Sequence, residues 1–112
     1  MINENNNSNE RRQAYRIVYP RDYHPSLIIR DKVFDILDLS ETGLRFKLLE
    51  NVKLPGDLFH AQVQIHDGSS IEILGRIIRI AGDQAAMFMV VKKIPDQIIL
   101  SEQAYLRQKK EE

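Results

Sequence analysis

Val33-Phe-Asp-Ile-Leu-Asp-Leu-Ser-Glu-Thr-Gly-Leu-Arg-Phe46 is the stretch on which the reading of the fold depends. An apolar run ends at Asp38-Leu39-Ser40. The chain turns through Glu41-Thr42-Gly43, and alternation resumes at Leu44 and Phe46. This reads as strand, tight turn, strand, with Gly43 supplying a backbone geometry that residues with a Cβ avoid. A carboxylate and a hydroxyl at the end of an apolar strand are the unusual feature. Asp38 and Ser40 either brace the turn or face a polar ligand, and the stretch alone leaves both open.

Outward from this hairpin the chain reads as short strands. The return strand covers 44–49, with Leu44, Phe46 and Leu48 on one face. Upstream, a first strand is expected at 17–20 and another at 27–29, which Arg30-Asp31 turns into the strand over 32–39. Pro55-Gly56-Asp57 is a strong turn signal. Over 58–66, Phe59, Ala61, Val63 and Ile65 oppose His60, Gln62, Gln64 and His66, one apolar face and one wet face, which suits an antiparallel sheet. His66-Asp67-Gly68-Ser69 is a hairpin turn. Over 71–80 the apolar set changes faces near Gly75, which predicts a bulge or bend there. Residues 85–91 are apolar on both faces, and Met87-Phe88-Met89 reads as core strand. From Pro95-Asp96 a helix is expected. Its stripe is Ile98, Ile99, Glu102, Tyr105 and Leu106, with Lys109-Lys110 at the C-terminal end.

The chain has 112 residues, enough for one domain with one core. Sixteen basic residues balance 16 acidic ones, so a broad basic footprint for duplex nucleic acid is absent. There is no Cys, which excludes disulfides and thiolate metal sites. No apolar run is long enough to span a membrane, so a cytoplasmic protein without membrane insertion is expected. Residues 1–10 are polar and Asn-rich and read as a flexible tail.

Catalytic and metal chemistry find little support. His60 and His66 share a strand face but lie roughly 20 Å apart at strand rise, too far for one ion. His24 lies in a loop, and solvent-exposed histidines are the expectation. Ser40 lacks a nucleophile elbow and a partner histidine. Asp35 and Asp38 fall on opposite faces by strict alternation. No metal, cofactor or enzymatic activity is expected. The lysine pairs at 92–93 and 109–110 read as solvated.

Arg11, Arg12 and Arg16 place three guanidiniums just before the first strand. Arg-x-x-x-Arg (Arg12, Arg16) followed by Asp-x-Ser-x-x-Gly (Asp38, Ser40, Gly43) is a sharper signal than either pattern alone. Here the chain resembles the PilZ domain family, over essentially residues 11–106. Leu54-Pro55-Gly56-Asp57-Leu58, the long hairpin ending Gly75-Arg-Ile-Ile-Arg-Ile80 and a closing helix with Ala104-Tyr105-Leu106 also match. The chain departs from the family's usual Gly-x-x-Phe in the last strand, where it reads Ala85-Ala-Met-Phe-Met-Val-Val91.

The resemblance implies a mainly all-β fold: a six-stranded antiparallel PilZ-type barrel with a C-terminal α-helix and a flexible N-terminal arm. Residues 1–10 would be tail, 11–108 the domain and 109–112 a charged tail. It implies a non-enzymatic cyclic di-GMP receptor, with Arg11, Arg12, Arg16, Asp38, Ser40, Gly43 and Arg79 as ligand contacts. Motility and biofilm regulation are outputs associated with the family. With no output domain, the chain would report to a downstream protein partner.

The ligand's chemistry suits these residues. Guanine presents O6 and N7 on one edge, which Arg's planar fork meets bidentately. Its N–H donors need an acceptor such as Asp38, and its phosphates accept charge-assisted bonds. The arm, self-repelling when free, would order against the barrel around the ligand. Arg11 leaves one ligand or a stacked pair open. The alternatives are a PilZ-like adaptor that binds protein and no nucleotide, or a small barrel for single-stranded nucleic acid. The second needs exposed aromatics, whereas Phe34, Phe46, Phe59 and Phe88 read as core.

Overall fold

The computed structural model describes residues 16–90 and 93–111. The tail, Arg11, Arg12 and Lys92 lie outside the described residues. The chain forms β1 (Ile17–Val18), β2 (Ser26–Ile29), β3 (Lys32–Leu39), β4 (Gly43–Lys47), β5 (Phe59–Gln64), β6 (Ser70–Ala81), β7 (Gln84–Met89) and α1 (Asp96–Glu111). All pairings are antiparallel. They run β2-β5-β6-β7-β4, and β3 joins β4 back to β2, which closes a six-stranded barrel. β1 is an extra short strand on β3. Closure leaves few unpaired backbone edges.

Period-two patterning fills the barrel. Phe34, Ile36, Leu44, Phe46, Ala61, Val63, Ile73, Ala85, Met87 and Met89 point inward and are buried. Phe34 and Phe46 meet edge to face at 5.1 Å. Gly75 is required by packing, since a Cβ there would lie 2.3 Å from the Phe88 carbonyl oxygen. The irregularity expected at Gly75 falls instead at Ile78, the extra residue between Ile77 opposite Met87 and Arg79 opposite Ala86. Face-switching marks a bulge only within a few residues, because the flanking Ile77 and Ile78 are equally apolar. β7 is not covered on both sides: Phe88 is 40% exposed, as its outward register dictates, so it is not core.

α1 has Asp96 in its first turn and Lys109 and Lys110 in its last, matched to its dipole. It runs through Glu111, past the expected boundary at 108. Lys109 is not merely solvated: it pairs with Asp22 at 3.0 Å and holds that exposed carboxyl below the usual carboxylate range. The helix packs where the loop after β1 and the β5–β6 turn lie. Its fully buried Glu102 accepts from Tyr19 Oη at 2.8 Å and from Tyr23 Oη at 3.0 Å. His66 Nδ1 lies 2.5 Å from the same carboxylate, and the His66 ring stacks on Tyr105 at 4.2 Å. Solvent exposure therefore holds for His60 but not for His66; His24 Nδ1 meets the Ile36 carbonyl at 2.9 Å.

Burial, reinforced by the Glu102 carboxylate, pushes the Tyr19 and Tyr23 phenols well above the ordinary value of 10.0. The folded chain then keeps both protons while the unfolded chain releases them, so this stability is present below about pH 10 and lost above it. Urea midpoints are expected to stay flat up to about pH 9 and then fall. In a Tyr19→Phe/Tyr23→Phe variant the alkaline fall should be shallower; an unchanged slope would assign it to other groups.

Candidate functional site

The β3–β4 hairpin carries the first candidate residues. Ser40 N donates to the Gly43 carbonyl at 2.8 Å and closes the turn. Ser40 Oγ donates to that carbonyl at 3.1 Å and accepts from Gly43 N–H at 3.2 Å. Of the two roles open to Ser40, these bonds fill the brace. Gly43 does not adopt a positive φ. A Cβ there would lie 3.5 Å from the Met87 carbonyl oxygen and 3.8 Å from Ser40 Oγ, ordinary contact. The expected backbone need for glycine is corrected accordingly. What the missing side chain leaves is open floor beside Phe88, its cross-strand partner.

Strict alternation along β3 would send Asp38 into the barrel. A bulge at Leu37 intervenes: Ile36 lies opposite Phe46, while Asp38 lies opposite Arg45. Asp38 is thereby moved to the outer face, the same side as Asp35, which corrects the opposite-face reading. Bulges commonly re-aim a side chain in this way. Asp38 is nonetheless only 1% exposed, because two guanidiniums cover it. Arg16 Nη1 donates to Oδ1 at 2.9 Å, and Arg45 Nε donates to Oδ2. Arg45 Nη1 continues to Gln84 Oε1 at 3.2 Å. Both arginines remain about half exposed, so each has N–H groups facing out. Asp38 thus acts first on the arginines.

Two shallow depressions adjoin this ion-pair network. One, ≈ 250 Å³, is lined by Arg16, Gly43, Arg45, Ile78, Ala86 and Phe88, among others. The other, ≈ 210 Å³, is lined by Arg45, Arg79, Ala81, Gln84, Ala85 and Ala86. The bulge at Ile78 matters here, since it sets Arg79 opposite outward-facing Ala86. The structure therefore brings Arg16, Asp38, Ser40, Gly43 and Arg79 to one outer face; Arg11 and Arg12 lie outside the described residues. Sequence reasoning missed Arg45. A turn with Ser40 opposite Gly43 makes Asp38 face Arg45 by counting, so the signal was present.

Among the described residues, no group of three or more His, Asp or Glu side chains converges as a metal ion would need. None of the described helices is long and apolar enough to cross a membrane.

The PilZ domain family model matches residues 10–107. No curated protein is significantly similar in sequence. Among solved structures, an uncharacterized Legionella protein superposes with a TM-score of 0.62 at 14% identity, covering 87% of this chain and 98% of its own. The PilZ domain of CeSA from a cellulose-synthesizing bacterium superposes with a TM-score of 0.51 at 18% identity, covering 83% of this chain and 97% of its own. Both likenesses concern the fold.

Proposed function

Because this chain belongs to the PilZ domain family, whose members are generally non-catalytic cyclic di-GMP receptors that often engage protein partners, we propose that it is itself a cyclic di-GMP receptor. The observation that carries this reading is the buried Asp38 carboxylate holding Arg16 and Arg45 beside open floor at Gly43. Fixed guanidinium forks are what a guanine O6/N7 edge requires, each good bidentate contact giving about 1–3 kcal/mol of discrimination. Asp38 orients the forks, Ser40 fixes the turn, and Gly43 admits the ligand.

In this reading ligand binding gathers the arginine arm, Arg11 and Arg12 included, against the barrel face where Arg16 is ion-paired to Asp38. Ligand phosphates would draw these in and change the surface shown to a protein partner. Action in the cytoplasm, on motility or biofilm formation, is part of this proposal.

Parallel calorimetric titrations with cyclic di-GMP, GTP and a single-stranded oligonucleotide test it. Saturable heat is expected with cyclic di-GMP alone. No heat at ligand concentrations of about 100 μM, corresponding to less than about 5.5 kcal/mol of binding, would sink the receptor reading.

A further inference from the structure

β1 is the end of the sheet. Among the described residues it pairs with β3 alone, so its second edge is open. Ile17 lies opposite Leu39, and Tyr19 N donates to the Leu37 carbonyl at 3.0 Å. Antiparallel partners exchange backbone bonds at every second residue. Ile17 and Tyr19 therefore direct their backbone groups at β3, and Val18 between them turns its N–H and C=O to the open edge.

The side chains divide in the same way. Ile17 and Tyr19 are buried, whereas Val18 is 69% exposed. Val18, Pro20 and Asp22 line one side of a groove of ≈ 500 Å³, and Leu106, Lys109 and Lys110 of α1 line the other. Its volume is twice that of the ≈ 250 Å³ depression beside Gly43. Asp22 is matched by Lys109 at 3.0 Å, so exposed Lys110 leaves the lining with one net positive charge. Pro20 has no N–H, which confines pairing at this edge to a short stretch and keeps it from templating a long sheet.

We propose that this groove docks an extended acidic segment of a protein partner, which adds as a short strand to the open edge of β1. A backbone donor and acceptor side by side on a free edge are matched by another extended backbone, while pockets beside the edge select alternate side chains. Here apolar side chains of the segment rest on Val18, Pro20 and Leu106, and a carboxylate reaches Lys110. The inference rests on the partner half of the receptor reading. Arg16, ion-paired to Asp38, immediately precedes β1. One short strand thus carries a candidate ligand residue at its start and the docking edge along its length.

Selection of a random heptapeptide phage library on the full chain, followed by fluorescence anisotropy of the enriched peptide, tests the groove. Enriched sequences are expected to set Asp or Glu among alternating apolar residues. Val18→Ser, at an exposed position, should weaken that peptide about ten-fold by removing the apolar wall. Lys110→Glu should weaken it as well, and the same peptide with its acidic residues changed to Lys should recover binding to that variant. In the complex the Val18 amide should gain protection from hydrogen exchange. No consensus or a basic one, wild-type affinity in both variants, or an unprotected Val18 amide overturns the proposal. Self-association of the chain that Val18→Ser abolishes would assign the groove to a second copy and overturns it too. Lys110 lies outside the candidate ligand site, so Lys110→Glu should bind cyclic di-GMP as the wild type does. Failure of the peptide with cyclic di-GMP heat intact overturns the groove alone. Absence of that heat in the wild type, with the peptide bound, overturns the nucleotide half of the reading and leaves the groove standing.

Discussion

Asp38→Ala is expected to weaken cyclic di-GMP binding by about a hundred-fold or more, equivalent to about 2.7 kcal/mol. Alanine releases Arg16 and Arg45 together, and each charge-assisted bond that holds a fork in place is worth about 1.5–3 kcal/mol. The ligand must then order both side chains itself. Folding should suffer much less, by about 1–2 kcal/mol. The two arginines are about half exposed and return to water, and burying Asp38 cost desolvation in the first place. Asp38→Asn keeps one acceptor oxygen and offers a donor where the second arginine sits, so it should fall between alanine and wild type. Arg16→Ala should lose binding with little change in melting temperature. Calorimetry beside thermal unfolding separates the two effects. Near-native affinity in Asp38→Ala would mean that the ion-pair network is architectural only.

The second large effect concerns stability. Glu102→Ala should destabilise the fold by about 3–5 kcal/mol, a large part of the 5–15 kcal/mol available to a domain of this size. Tyr19 and Tyr23 would lose their acceptor and His66 its carboxylate. A buried polar group left unsatisfied costs about 1–3 kcal/mol, and the deleted side chain leaves a cavity between α1 and the barrel. Glu102→Gln preserves shape but offers only one acceptor oxygen, so a smaller loss of about 1–2 kcal/mol is expected. In a Tyr19→Phe/Tyr23→Phe background the alanine penalty should shrink, because two of its causes are already gone. Urea denaturation of these variants beside the wild type measures this. A full alanine penalty in the phenylalanine background would locate the cost in packing alone.

Much of the barrel was legible because its signals are local. Period-two alternation and the turns at Gly43 and Gly68 fix which residues pair as hairpins. Each hairpin's register follows from its turn. Asp38 and Arg45 could have been matched on that basis, and only the Leu37 bulge hid their common face from strict alternation. The Glu102 cluster was illegible for a different reason. Glu102 stood visibly in the helical stripe, but its partners Tyr19, Tyr23 and His66 lie 83, 79 and 36 residues away. Nothing short of the closed barrel brings them there. Phe88 was misread because apolar runs do not say which face is covered.

The barrel is closed by two pairings that no hairpin supplies, β2 with β5 and β4 with β7. Such non-local seams are late in folding, since loop-closure entropy is lost before their contacts form. The floor of the candidate site straddles one of them: Gly43 meets Phe88 and Arg45 meets Ala86 across β4–β7. A nascent or partly opened chain therefore has every residue of the site and no site. Any ligand held there recognises only completed molecules and favours them by mass action. Under the proposed receptor role, ligand concentration therefore also sets how strongly the folded chain is favoured over the opened one.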